Sequence, residues 1–157
     1  MFKIRDSRLL WALLIGCLLR IIPLFLWPNI ECVRDECTYL NLAKRLEDGL
    51  GMTSSSGWLW APGYPFLLAI HSKIFGAAQF IKGVQIALSL VVILCICDIG
   101  RRISSQRAGL IAAWLYALSP TQIFFSQAIW AETIYGALLL FSVLLYLRLI
   151  ESPGRIS

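Results

Sequence analysis

Between Lys82 and the Arg101-Arg102 pair the chain is apolar almost without interruption, and Asp98 is its only charged residue there. A helix of about 20 apolar residues matches the hydrocarbon thickness of a bilayer. Two further runs have the same character. Residues 9–27 follow Lys3, Arg5 and Arg8, and residues 131–150 carry charge only at Glu132 and Arg148. A fourth apolar stretch, residues 108–125, is interrupted by Ser119-Pro120. Proline lacks a backbone N–H and disfavours helix at the residue before it. The third span is therefore expected over 108–118, with the chain leaving the membrane near Ser119-Pro120.

Composition excludes the competing classes. The 157 residues are 59% hydrophobic and only 15% charged, and the mean hydropathy is +0.75. A soluble domain of this length could not bury so much apolar surface, and a disordered chain would carry far less of it. Five cysteines are too few for a disulfide scaffold of this size. The sequence reads as an all-α integral membrane protein with about four transmembrane helices, residues 1–157 forming a single membrane domain.

The first span is too long for a signal peptide's apolar region and ends in Leu26-Trp27-Pro28-Asn29, with no small-residue cleavage site. It is expected to be retained. The net charge of +5 acts as a topology signal. Eight cations (Lys3, Arg5, Arg8, Arg101, Arg102, Arg107, Arg148 and Arg155) fall on one side, and five (Arg34, Lys44, Arg45, Lys73 and Lys82) on the other, along a much longer loop. Both termini are thus expected in the cytoplasm, with residues 28–79 forming an extracytoplasmic cap loop. The expected setting is the plasma membrane of a bacterium or archaeon, the loop being luminal if the source is a eukaryote. No basic run interleaved with aromatics is present, so nucleic acid is not an expected partner; membrane lipid is.

The cap loop has its own pattern. Tyr39, Leu42, Ala43, Leu46 and Leu50 fall at helical spacing, opposite Asn41, Lys44, Arg45 and Asp48, with Gly49 and Gly51 as a stop. This predicts an amphipathic helix on the membrane surface. Trp58, Trp60 and Ala61-Pro62-Gly63-Tyr64-Pro65 suit the headgroup layer, and residues 66–75 are too short to span, so a second interfacial or re-entrant helix is expected.

Two readings stand for Asp35 and Glu36, which open the first cap helix beside Arg34. A carboxylate here can accept a proton or position a polar substrate; equally, Asp is a favoured N-cap and Glu suits the first helical turn. Glu132 has the same double reading at the outer end of the fourth span. Arg20, within the first span, is expected to snorkel outward or pair with one of these acids. Asp98 with Arg101 and Arg102 reads as an interfacial cluster, and His71 as an interfacial residue without metal-ligand spacing. Cys17, Cys95 and Cys97 read as apolar fillers, while Cys32 and Cys37 are close enough in sequence to pair on an oxidising side. No phosphate-binding glycine loop, nucleophile elbow or zinc motif occurs.

The ordered set Arg34-Asp35-Glu36-x-x-Tyr39-x-x-Leu42-Ala43, Gly49-x-Gly51, Trp60-x-Pro62-Gly63-Tyr64-Pro65, Arg107-Ala108-Gly109-Leu110, Ala117-Leu118-Ser119-Pro120 and Glu132 resembles the GT-C membrane glycosyltransferases. The type is glycosyltransferase family 39, which includes protein O-mannosyltransferases and aminoarabinose transferases. The resemblance implies inverting transfer of a sugar from a polyprenyl-phosphate-linked donor on the extracytoplasmic side. It implies that Asp35, with Glu36 beside it, is the catalytic acid-base position, and that Arg34, Tyr64 and Glu132 contact or orient substrate. No cofactor is implied; a divalent cation is compatible, yet no residue set calls for a metal. Members of this family have many more spans, so the resemblance also implies an N-terminal portion of a larger enzyme or a small relative completed by a partner chain. The alternatives from other classes are a small oligomeric four-helix transporter or channel, and a non-catalytic membrane assembly subunit.

Overall fold

A computed structural model describes residues 6–26, 32, 34–52, 60–77 and 80–151. Among these the secondary structure is helical: α1 (Ser7–Leu26), α2 (Asp35–Glu47), α3 (Gly63–Phe75), α4 (Ile81–Ile103), α5 (Gln106–Leu118), α6 (Pro120–Gln127) and α7 (Glu132–Glu151). Helices α1, α4 and α7 are each long and apolar enough to cross a membrane. A fourth crossing is made if α5 and α6, bent by 56° at their junction, count as one broken span. The protein is an all-α integral membrane protein.

Helix α4 is the hub. Its apolar window is 44% buried, against 11% for α7, because α1, α5, α6 and α7 all pack on it. The α4–α5 hairpin is drawn tight by two glycines. A Cβ at Gly100 would sit 2.7 Å from Gly109 Cα, and one at Gly109 would overlap the Cys97 carbonyl oxygen. Ser105 starts α5, its hydroxyl accepting from Ala108 N–H at 3.2 Å. The core joining α1, α4 and α5 is Leu9, Ala12, Ile93, Cys97, Ala113 and Ala117. Small residues dominate it because close backbone approach replaces hydrophobic drive between helices in lipid.

The junction of α5 and α6 departs from expectation. The chain does not run off into a loop after Ser119; it resumes at once as α6, with Pro120 in the first turn, where a missing N–H costs nothing. Ser119 is extended, as a residue before proline tends to be. Pro120 has no N–H to give Tyr116, whose carbonyl takes a bond from Ser119 N–H at 3.3 Å in its place, and the last carbonyls of α5 are left open to further donors. Arg20 supplies them. Its guanidinium donates to Ala117 O at 3.0 Å and to Tyr116 O at 3.4 Å, with further bonds to Gly16 O at 3.0 Å and Ser89 Oγ at 2.6 Å. It also lies 5.6 Å from the Tyr116 ring centroid. Arg20 is therefore fully buried and meets no carboxylate among the described residues, contrary to the expectation of outward snorkelling or an acid pair. The negative end of the α5 dipole is its partner.

Helices α2 and α3 pack on each other and form a cap at one end of the bundle, with a second core of Ala43, Tyr64, Leu68, Ala69, Ile81 and Ile129. The predicted α2 stripe holds for Leu42 and Ala43, which are buried, and for Tyr39 and Leu46, which pack against this core. Leu50 falls outside it. The helix stops at Glu47, the backbone turns left-handed at Gly49 (φ 73°), and Leu50 is exposed. His71 is buried, with its ring 4.5 Å from that of Phe75.

Arg20→Met, which takes its donor from the Ala117 carbonyl, should destabilise the fold by about 1–3 kcal/mol. The check is thermal unfolding in detergent. A melting temperature equal to that of the unsubstituted protein would remove Arg20 from this role.

Candidate functional site

The first turn of α2 carries the acids singled out in the sequence. Cys32 and Cys37 are joined in a disulfide with their Cα atoms 5.0 Å apart, closing a small ring around Arg34, Asp35 and Glu36. Arg34 is the residue before the helix and holds φ 53°, ψ −117°, the single non-glycine with positive φ among the described residues. Such backbone is costly and needs its surroundings to enforce it. Asp35 is the first helical residue, not the N-cap, and no side chain caps this helix. Its carboxylate is exposed. Glu36 is half-buried and lies 3.8 Å from Lys82 Nζ at the start of α4, a loose pair that contributes little to stability.

One turn on, Tyr39 sits between two aromatic rings. Trp60 and Tyr64 meet it edge-on, with centroids 5.0 Å and 4.9 Å away, the arrangement that ring quadrupoles favour. Tyr64 is buried, and its hydroxyl donates to Gln85 Oε1 at 2.5 Å. Gln85, itself fully buried, donates in turn to Ala128 O at 2.6 Å and Phe125 O at 3.3 Å. Thr133 Oγ1 donates to the same Phe125 carbonyl at 2.8 Å. A polar chain thus runs from the cap through the start of α4 to the α6–α7 connection, where Glu132 opens α7.

Asp35, Glu36 and Glu132 consequently share one neighbourhood. Burial raises the Tyr39 phenol above its ordinary value, and the charges of Glu132 and Asp35 raise it further. Burial also pushes the Tyr64 phenol well up, reinforced by Tyr39, Glu36 and Glu132. Negative charge nearby disfavours phenolate, so both tyrosines remain neutral hydrogen-bond donors. Acids from α2 and α7, far apart in sequence, flank one aromatic pair. Asp35 and Glu132 are exposed, and among the described residues no group of three His, Cys, Asp or Glu side chains is gathered closely enough to hold a metal ion.

Residues 60–155 match the family model described as dolichyl-phosphate-mannose-protein mannosyltransferase. The chain belongs to this family. The family is one of membrane glycosyltransferases. Comparison with curated proteins and with solved structures finds no match. The mannosyltransferase-family match takes in Trp60, Tyr64, Gln85 and Glu132, while Arg34, Asp35 and Glu36 lie before it. The acids of α2 are thus tied to the family segment by structure, through Tyr39 against Trp60 and Tyr64 and through Glu36 near Lys82.

Sequence reasoning missed Gln85 and undervalued Tyr39 and Lys82. A signal was available for the first. Gln85 and Ser89 are the polar interruptions of an apolar span and stand at i, i+4 on one face of α4, a spacing that marks the inward side of a membrane helix. Tyr39 was legible only as part of an apolar stripe, since its aromatic partners come from another helix.

Gln85→Leu removes the acceptor for Tyr64 and the donor for Ala128 together. Spin labels at Asn41 on α2 and Tyr135 on α7, both exposed, should give a narrow distance distribution in the parent protein and a broadened one in Gln85→Leu. An equally narrow distribution in both would show that Gln85 does not hold the cap to α7.

Proposed function

We propose that the chain carries the acceptor-activating acid of an inverting glycosyl transfer, from a polyprenyl-phosphate-linked sugar to a hydroxyl acceptor on the extracytoplasmic face. The observation behind this reading is the gathering of Asp35, Glu36 and Glu132 around Tyr39 and Tyr64 at one end of a membrane bundle, in a chain of this glycosyltransferase family. Of the three acids, Asp35 is exposed at the strained start of α2, whereas Glu36 leans toward Lys82. A free, exposed carboxylate is the one able to take a proton.

In the proposed step the acceptor oxygen attacks the anomeric carbon from the face opposite the phosphate. The new C–O bond forms as the bond from the anomeric carbon to the phosphate oxygen breaks. The phosphate leaves with the electron pair as polyprenyl phosphate, and the acceptor proton passes to Asp35. Because the leaving group is already an anion of a strong acid, the base is the component the protein must supply. Arg34 and Lys82 are the cations beside these acids and are assigned to the donor's phosphate charge. Glu132 orients the acceptor. Tyr64 acts through its ring and position, its hydroxyl being committed to Gln85. No cofactor enters the scheme.

The Cys32–Cys37 disulfide favours an oxidising side for this end of the bundle, in line with the distribution of Lys and Arg. A transport path is not favoured. The one ionisable side chain buried deep in α1, Arg20, is saturated by carbonyl and hydroxyl oxygens, and the acids lie at an end of the bundle, not at mid-membrane.

Asp35→Asn in membranes carrying the full protein should lower glycosyl transfer from a polyprenyl-phosphate sugar by about 10²-fold or more, the scale of general-base catalysis. Near-normal turnover would remove Asp35 as the base. For orientation, Asn41→Cys in a background without Cys17, Cys95 and Cys97 should react with a membrane-impermeant maleimide on intact cells. Reaction only after permeabilisation would reverse the assigned sidedness.

A further inference from the structure

The opposite end of the bundle carries a second charged constellation that the glycosyl-transfer reading does not use. Asp98, near the end of α4, is almost fully buried and receives Arg101, Arg102 and Arg148. Its Oδ2 is shared between Arg102 Nε at 3.2 Å and Arg148 Nη2 at 3.3 Å, and Arg102 is bound by Glu151 as well. Arg148 therefore has only a share of one carboxylate oxygen, while its side chain is half exposed. A guanidinium presents five donors, so most of this one is left for an outside acceptor.

Arg148 also closes one end of a groove between α4 and α7. The groove is walled by Leu94, Cys95, Phe141, Leu144 and Leu145, and both helices are of membrane-spanning length and character. An apolar trough ending at a partly satisfied cation, within membrane helices, has the two-part chemistry of a phospholipid. The trough takes an acyl chain and the guanidinium a phosphate oxygen. The site lies far from the acids. Along α4, Lys82 and Asp98 are about 24 Å apart, and along α7 so are Glu132 and Arg148. A lipid here occupies the leaflet opposite Asp35 and cannot present its phosphate to that centre.

We propose that the α4–α7 groove binds an anionic glycerophospholipid, its phosphate on Arg148 and one acyl chain against Leu144 and Leu145. Charge complementarity selects the anionic headgroup, since a zwitterionic lipid returns a positive charge to a cluster already rich in arginine. Occupation would brace α7, which packs on α4 by one face and leaves most of its apolar surface outside the bundle.

The test is native mass spectrometry of the purified full chain, titrated with phosphatidylglycerol or with phosphatidylcholine of the same acyl chains. Phosphatidylglycerol should be retained about fivefold better, as expected for one cation near an anionic headgroup. Arg148→Gln should abolish the preference and Arg148→Lys keep it, which separates loss of charge from loss of fold. Leu145→Trp, which fills the trough, should lower retention with Arg148 intact. Equal retention of the two lipids, a preference surviving Arg148→Gln, or undiminished retention in Leu145→Trp overturns the proposal. So does displacement of the lipid by inorganic phosphate at equal excess, which would make the site one for free phosphate.

Discussion

A single buried guanidinium decides how this bundle closes. Arg20 is the kind of residue a membrane helix excludes, because burying a charge without partners is costly. It is retained because Pro120 breaks the α5–α6 helix and exposes carbonyls that must find donors in a place without water. The two liabilities cancel. Arg20 binds the carbonyls of Tyr116 and Ala117, fixes α1 against α5, and reaches Ser89 on α4. Its own carbonyl accepts from Gln127 at the end of α6. Four helices are thus tied through one residue, and the 56° bend becomes a fixed element of the architecture.

The bend in turn places the acidic centre. Because α6 turns by 56° from α5, its end and the 128–131 connection pass close to α4, where Gln85 binds the carbonyls of Phe125 and Ala128 and the Tyr64 hydroxyl together. The cap is therefore keyed to the bundle by a polar contact as well as by apolar burial. Glu132, which starts α7 just beyond that connection, comes to lie on the same side as the first turn of α2. A site assembled this way depends on backbone carbonyls held at specific positions, so its precision derives from helix breaks and not from helix interiors.

The spans were legible because bilayer thickness imposes a length that composition reveals directly, and residues 9–27, 80–99 and 131–150 satisfy it with little ambiguity. The amphipathic α2 was legible for the same periodic reason. Less visible were the interactions that depend on which face meets which. Arg20 looked like a charge in need of an acid, since sequence does not show that Pro120 would leave carbonyls nearby. Asp35 looked like a helix cap, yet Arg34 occupies that position with a strained backbone. The acids themselves were readable as candidates from residue type, position and family resemblance. Their convergence on Tyr39 and Tyr64 required the pairing of α2 with α3 and of α6 with α4, which are long-range contacts that no local pattern encodes.

The distance along α4 between its polar ends also sets a relation to the surrounding bilayer. From Lys82 to Asp98 the helix measures about 24 Å, whereas a typical hydrocarbon core is about 30 Å thick. Asp98 is held by Arg101, Arg102 and Arg148, and Lys82 stands at the other end of the same helix. A polar span shorter than the hydrocarbon core is met by thinning of the bilayer or by flanking cations that reach outward to the headgroups, at a cost of a fraction of a kcal/mol per Å of mismatch. The long side chains at both ends of α4 are therefore what fits this helix to the thickness of its membrane.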